Sequence, residues 1–280
     1  MKTASINRTS GSTKVVQLSQ ADAPFGHVYA IGRIHHFFPA MDVQKEYLQL
    51  LQELPPGDTS TEDQRLEQVL KQHRFLAREM GWSFLIGNVE TYHLSAAAPD
   101  ALDQLVTSIC PKDPALTTYD VIVGAQEPTL SSEVPGVAVT WTFQFTLQEL
   151  AGSVIATLRK QGVQSPPSKE HIIDVFDDML QLANNTGDAD EHRALNYVSV
   201  NYPDVYLVQG KPQEQASNAS TLFAGVETRR SDLGGGRTII DVILRFQSQS
   251  TGLTTRYFTS VDVSGQFPFL VTPLGPYFER

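Results

Sequence analysis

The sequence predicts an α+β fold, and three observations predict it. The first half alternates strand-like and helix-like segments around short apolar runs. The middle carries three helical patterns in succession, and the last sixty residues alternate apolar and polar positions as antiparallel strands do. The expected architecture is a small N-terminal mixed sheet with packed helices, then central helices, then a C-terminal antiparallel three-strand meander.

Residues 27–34, "HVYAIGRI", form the first expected strand by their β-branched and aromatic content. After Pro39, "AMDVQKEYLQLLQEL" places Val43, Tyr47, Leu50, Leu51 and Leu54 on one helical face. A second helix is expected from about Thr61, with Leu66, Val69, Leu70, His73 and Leu76 as its stripe and Met80–Gly81 as its stop. "WSFLIGNVETYHLSA" reads as two short strands or one bulged strand. Pro99 and Asp100 then open a short helix. "YDVIVGA" is a buried strand and "GVAVTWTFQF" another, with period-two alternation. "TLQELAGSVIATLRKQG" and "SPPSKEHIIDVFDDMLQLANNTG" are helices, the latter with Ser168 as N-cap and Ile172, Phe176, Met179 and Leu180 as its stripe. A third helix lies in "ADEHRALNYVSVNYP" and stops at Pro203. "LFAGVETRR", "GRTIIDVILRFQSQS" and "LTTRYFTSVDVS" form the meander, with Ile240, Val242, Leu244 and Phe246 on one apolar face. Glycines 234–236 and Thr251–Gly252 mark the hairpin turns. Residues 1–25 read as a flexible tail. Residues 26–280 read as a single domain, with possible sub-domains 26–145 and 146–280.

Composition narrows the function classes. Apolar residues make up 41% and charged residues 19%, as in a globular protein. No run of about 18 apolar residues occurs, which argues against a membrane span. The N-terminus lacks a signal-like apolar segment, so the expected location is the cytoplasm. The net charge of −10 and the absence of a basic stripe exclude nucleic-acid binding, which needs clustered cations against phosphate. Cys110 is the only cysteine, so no internal disulfide is available and an inert thiol is expected.

The chemical candidates are few. On a helix, Asp188 and His192 stand four residues apart, as do His192 and Asn196. A catalytic reading makes His192 a base supported by Asp188 or Glu191. Side chains on one helix project outward and do not converge on a substrate atom, and acidic residues at a helix start also suit its dipole. The structural reading is therefore favoured. His35 and His36 are adjacent on an extended segment and should face opposite ways, and no ligand spacing of a known metal motif occurs. No metal and no cofactor are expected. Asp174, Asp177 and Asp178 are expected on the solvent side of their helix. The glycine-rich turn before Arg237 precedes no helix, so it is not a phosphate loop. Aromatics in "TWTFQF", "TRYFTS" and "PFLVTPLGPYFER", with Trp141, Phe143 and Tyr257 among them, are able to line pockets for a peptide strand added to a sheet. Arg229, Arg230 and Arg237 form the densest positive cluster.

Several strings are unusual: "FLAREMGWSF…ETYHL", "DEHRALNYVSVNYPDVY" and "FPFLVTPLGPYFER". From about His27 to the C-terminus the chain resembles a domain of unassigned function attached to cyanobactin maturation proteases of the patellamide type. It is also similar to stand-alone peptide-binding relatives in crocagin-type pyrroloindoline biosynthesis. That resemblance implies a non-catalytic protein that binds a ribosomal precursor peptide, by its leader or core segment, and presents it to separate tailoring enzymes. An acidic peptide segment would then meet Arg229, Arg230 and Arg237. The protease-attached domain has a cysteine before the tryptophan of its "LAR…W" motif and has been associated with zinc. Gly81 stands at that position here, so no metal is carried over. The 280 residues include no subtilisin-like segment, so the resemblance implies no proteolysis. The alternatives are an enzyme, such as a cyclase or metal-assisted catalyst acting on the same peptide, and a scaffold that binds a tailoring enzyme. A dimer is compatible with all three.

Overall fold

The computed structural model describes residues 26–55, 60–111, 113, 115–128, 134–181, 184–207, 221–232, 235–248 and 251–278. The expected tail, residues 1–25, lies outside these. Nine strands and seven helices are described: β1 (His27–Phe37), α1 (Met41–Leu51), α2 (Glu62–Gln72), α3 (Arg74–Glu79), β2 (Gly81–Ile86), β3 (Val89–Ala96), α4 (Pro99–Ser108), β4 (Thr118–Glu127), β5 (Gly136–Thr146), α5 (Leu147–Lys160), α6 (Lys169–Leu180), α7 (Asp190–Asn201), β6 (Thr221–Arg230), β7 (Ile239–Ser248), β8 (Thr254–Asp262) and β9 (Phe269–Pro276).

The expected N-terminal sheet is a closed barrel in the order β1-β2-β3-β5-β4, with β3 and β5 parallel and the other pairs antiparallel. With α4 between β3 and β4, this is the layout of a small OB-type Greek-key barrel. "WSFLIGNVETYHLSA" resolves into the hairpin β2–β3, turning at Gly87 and Asn88, which both adopt positive φ. The second expected helix is two helices, because His73 leaves helical geometry between α2 and α3.

Closure gives the barrel wall two sides and the protein two cores. Val28, Ala30, Ile122, Val137 and Val139 point inward and join the stripes of α1 to α4. Tyr29, Ile31, Val121 and Val123 alternate outward and join α5, α6, α7 and the second sheet. That sheet is antiparallel, in the order β6-β7-β8-β9. It has four strands where three were expected. The addition is β9, whose two prolines and glycine hide its strand character. The face Ile240, Val242, Leu244 and Phe246 is buried against the helices, as the alternation predicts.

Local chemistry sets the helix ends. Thr146 and Glu149 form a capping box at α5, and the Ser168 hydroxyl accepts from the His171 amide at 3.2 Å to start α6. At Gly187 (φ +82°) the chain runs so close to β1 that a Cβ would lie 2.6 Å from the Ala30 Cα; its carbonyl accepts from the Tyr29 amide at 2.8 Å.

Helix α7 is buried nearly all round. Leu195 and Val198 fill the core as expected, and the polar side is buried too. Asn196 and Asn185 exchange amide hydrogen bonds at 2.7 and 3.2 Å, and Asn196 also donates to the Tyr29 carbonyl at 2.9 Å. The Arg193 guanidinium, 2% exposed as a residue, donates to the carbonyls of Val263 (2.8 Å), Gly265 and Gln266, and pairs with Asp190 at 3.3 Å. Arg193 thus reaches the second sheet's β8–β9 connection and Asn196 reaches the barrel wall, so α7 fastens barrel to sheet.

Two outcomes follow. Arg193→Met leaves three carbonyls without their donor and should cost about 3 kcal/mol or more, with little rescue by Arg193→Lys, which lacks the planar fork. Urea unfolding measures it. Asp120 is 3% exposed, and burial pushes its pKa up to about 6, against the opposing Ile34 amide (2.8 Å) and Gln144 amide (3.2 Å). A raised folded-state pKa means that its stabilising contribution is present below the unfolded value near 4 and is lost as pH rises through 6. Asp120→Asn should therefore gain stability relative to wild type between about pH 4 and 7, by on the order of 2 kcal/mol, and plateau above. Paired urea midpoints across that range test the sign.

Candidate functional site

In β5 the odd-numbered residues 137–145 are all apolar and read as one face. An irregularity opposite Val123 and Gly124 divides them: Val139 pairs with Gly124 and Trp141 with Val123, so Thr140 is the extra residue. A bulge of this kind reverses the side on which later residues emerge. Val137 and Val139 stay inside the barrel, while Trp141, Phe143 and Phe145 project outward. Gly124 makes room for it, since a Cβ there would lie 2.4 Å from the Ala138 carbonyl oxygen and 2.7 Å from a Val137 methyl.

The outward side chains form a row of graded burial. Phe145 is 7% exposed and packs against Tyr119 and Phe176, both at 5.9 Å between centroids. Phe143 lies 5.9 Å from Phe145 and 4.8 Å from Trp141, which is 36% exposed. Beyond it, 6.4 Å away, stands Phe267 in the β8–β9 connection, 50% exposed. This connection is fixed from both sides. Arg193 holds its carbonyls from below, and the Gln266 amide donates to the Thr140 hydroxyl at 2.7 Å. Beside the row, between α4 and β5, runs an open groove of about 390 Å³ lined by Gln104, Thr107, Cys110, Phe143 and Gln144.

The row leads to the edge of the second sheet. Strand β9 starts two residues after Phe267 and exposes Phe269 and Val271. Its far half is blunted as an edge: Pro273 and Pro276 have no amide to donate, and the Leu274 amide donates to the Tyr202 hydroxyl at 2.8 Å. Residues 269–272 form the remaining part of the edge, next to the aromatic row. A short edge stretch flanked by aromatic anchors can take an extended peptide through main-chain hydrogen bonds.

Of the residues singled out by sequence, Trp141 and Phe143 come together in this row. Tyr257 does not join them; it sits on the helix-facing side of β8, 6.2 Å from Phe246. Arg229, Arg230 and Arg237 lie at the sheet end that also carries the β8–β9 connection. Arg229 lies over the Tyr277 ring at 5.5 Å, Arg237 pairs with buried Asp262 at 3.2 Å, and Arg230 is exposed. Phe267 and the strand character of β9 escaped sequence reasoning, although the aromatics of "PFLVTPLGPYFER" were among the pocket candidates. Their signal was the apolar string "FPFLV", interrupted by proline.

The His192 constellation does not assemble into a nucleophile–base pair. The His192 Nδ1 is 3.8 Å from the Asp188 carboxylate, too far for a hydrogen bond, and that carboxylate accepts from the Thr186 hydroxyl at 2.5 Å. Glu191 is partly buried and makes no hydrogen bond among the described residues. His35 and His36 occupy consecutive positions of β1 opposite Ser83 and Trp82, with their rings 6.0 Å apart and His36 also 6.4 Å from Trp82. Among the described residues, no group of three His, Cys, Asp or Glu is placed to hold a metal ion. Burial pushes the Cys110 thiol up to about 12, with Glu67 adding to the shift. None of the described helices is long and apolar enough to cross a membrane. Asp177 is not on the solvent side with Asp174 and Asp178; it is half-buried and lines a cavity.

A solved structure described as "PatG Domain of Unknown Function" shares the fold, with a TM-score of 0.66 at 17% identity over 90% of this chain and 98% of that one. No curated protein matches the chain. A family model described as "PatG C-terminal" matches residues 163–277, and one described as "PatG Domain" matches residues 27–219. The second match alone covers more than half of the sequence, and both include "DEHRALNYVSVNYPDVY", so the protein belongs to the PatG domain family.

Proposed function

We propose that this protein is a recognition module for a ribosomally synthesised precursor peptide, binding it without catalysis and presenting it to separate tailoring enzymes in the cytoplasm. The observation that carries the reading is the aromatic run Phe143–Trp141–Phe267, exposed at Trp141 and Phe267, beside residues 269–272 of the β9 edge. Aromatic anchors next to a strand edge are how peptide-binding domains combine side-chain register with main-chain affinity. The family membership is compatible with the peptide pathways named by the resemblance. The arginines at the same end of the sheet give an acidic peptide segment a complementary charge within an otherwise acidic protein. The 3.8 Å gap between His192 and Asp188 favours binding over catalysis by that pair.

The test is calorimetric titration with a candidate precursor peptide taken from the neighbouring genes, followed by mass spectrometry. Saturable binding with unchanged peptide mass is expected. Trp141→Ala and Phe267→Ala should each weaken it by about tenfold or more. Reversing Arg229, Arg230 and Arg237 to Glu should weaken it most at low salt. His192→Ala should leave affinity unchanged. Absence of binding, or binding indifferent to both aromatic substitutions, would contradict the proposal.

A further inference from the structure

A second cavity, of about 450 Å³, opens between β1, the end of β2, β4 and the C-terminal end of α6. It shares no residue with the aromatic row or the α4–β5 groove. Its apolar walls are Ile31, Leu85, Ile86 and Leu180, and its polar residues include Tyr119, Asp177 and Arg33. The Asp177 carboxylate is half-buried and accepts no hydrogen bond among the described residues. Arg33 reaches the same cavity without forming an ion pair to it; its guanidinium donates to the Asn88 side chain at 3.2 Å. The Asn185 amide is occupied by Asn196.

We propose that this cavity is a binding pocket for a cationic group on an aliphatic arm, of the lysine side-chain class, with the ammonium on Asp177 and the arm along the aliphatic walls. Three features agree on the charge. Burial, then Asp174 and Asp178, hold the Asp177 carboxyl above the usual carboxylate range, so a cation there relieves an unfavourable charge. The pocket lies at the C-terminal end of α6, where the helix dipole also favours positive charge. The Tyr119 ring offers an aromatic wall, and its phenol is within electrostatic reach of Asp177. An anionic ligand would meet the Asp177 carboxylate in the lining, with Asp174 and Asp178 of the same helix adding negative potential from outside it, against the single cation of Arg33. The aliphatic walls suit a stem that buries its methylenes while its charged end is paired.

The probe is the capped tripeptide acetyl-Gly-Lys-Gly-amide, with its norleucine counterpart as the neutral control of similar shape. Both are titrated into the 15N-labelled full chain and followed by two-dimensional NMR. The lysine peptide should shift the amides of Gly32, Gly87, Gln181 and Asn185 saturably, and the norleucine peptide should bind at least about tenfold more weakly. Asp177→Asn should lose about tenfold for lysine and nothing for norleucine; because this carboxylate has no partner to lose, the variant should fold normally. Arg33→Gln should bind lysine as well as or better than wild type. Trp141→Ala should leave the titration unchanged, which separates a failure here from a failure of the docking surface. Equal affinity for the two tripeptides, no saturable shift at these amides, or indifference to Asp177→Asn would overturn the assignment.

Discussion

The arrangement depends on one buried guanidinium. Arg193 is a charge removed from water near the start of α7, tolerable because its two terminal nitrogens meet an ion-pair partner and three main-chain carbonyls. Those carbonyls belong to the β8–β9 connection, far away in sequence, so satisfying the charge dictates where the second sheet sits. On the same helix, Asn196 ties to the barrel wall at Tyr29 and to Asn185. Barrel, helix and sheet are joined through groups that would be costly to bury in any other arrangement. The polar side of "DEHRALNY" is a fastening between barrel and sheet.

The aromatic row follows from a second constraint, in the barrel. Five strands must close, and the bulge across from Gly124 helps β5 curve while turning three aromatics to the outside. Phe145 is absorbed by the helical core, Phe143 partly so, and Trp141 is left for the solvent boundary. Phe267 reaches Trp141 because Arg193 and the Gln266–Thr140 hydrogen bond hold its connection in place. The exposed surface is therefore assembled from elements more than a hundred residues apart, each held by buried chemistry of its own.

The fold class and most elements were legible in the sequence because they rest on local periodicity. The apolar face of β7, the Ser168 cap and the stripe of α6 are nearest-neighbour facts. Barrel closure was not legible, since pairing β1 with β4 and β3 with β5 is a choice among distant partners. Strand β9 was hidden by Pro273 and Pro276, which weaken strand signals and here mark an edge. The burial of Asp177 was missed because a helical pattern shows which residues share a face, and not which cavity a neighbouring strand leaves beside it. Trp141 and Phe143 were found from composition, but only a bulge that no spacing announces decides that they point outward.

The central claim is that a peptide adds to the exposed part of the β9 edge under the aromatic row. Hydrogen–deuterium exchange of the full chain, with and without the precursor peptide, examines that edge directly. The account predicts new protection concentrated in the amides of residues 267–272 and around Trp141, with the edge strand β6 unchanged. Protection at β6 instead, or a bound peptide that leaves residues 267–272 exchanging as before, would contradict it.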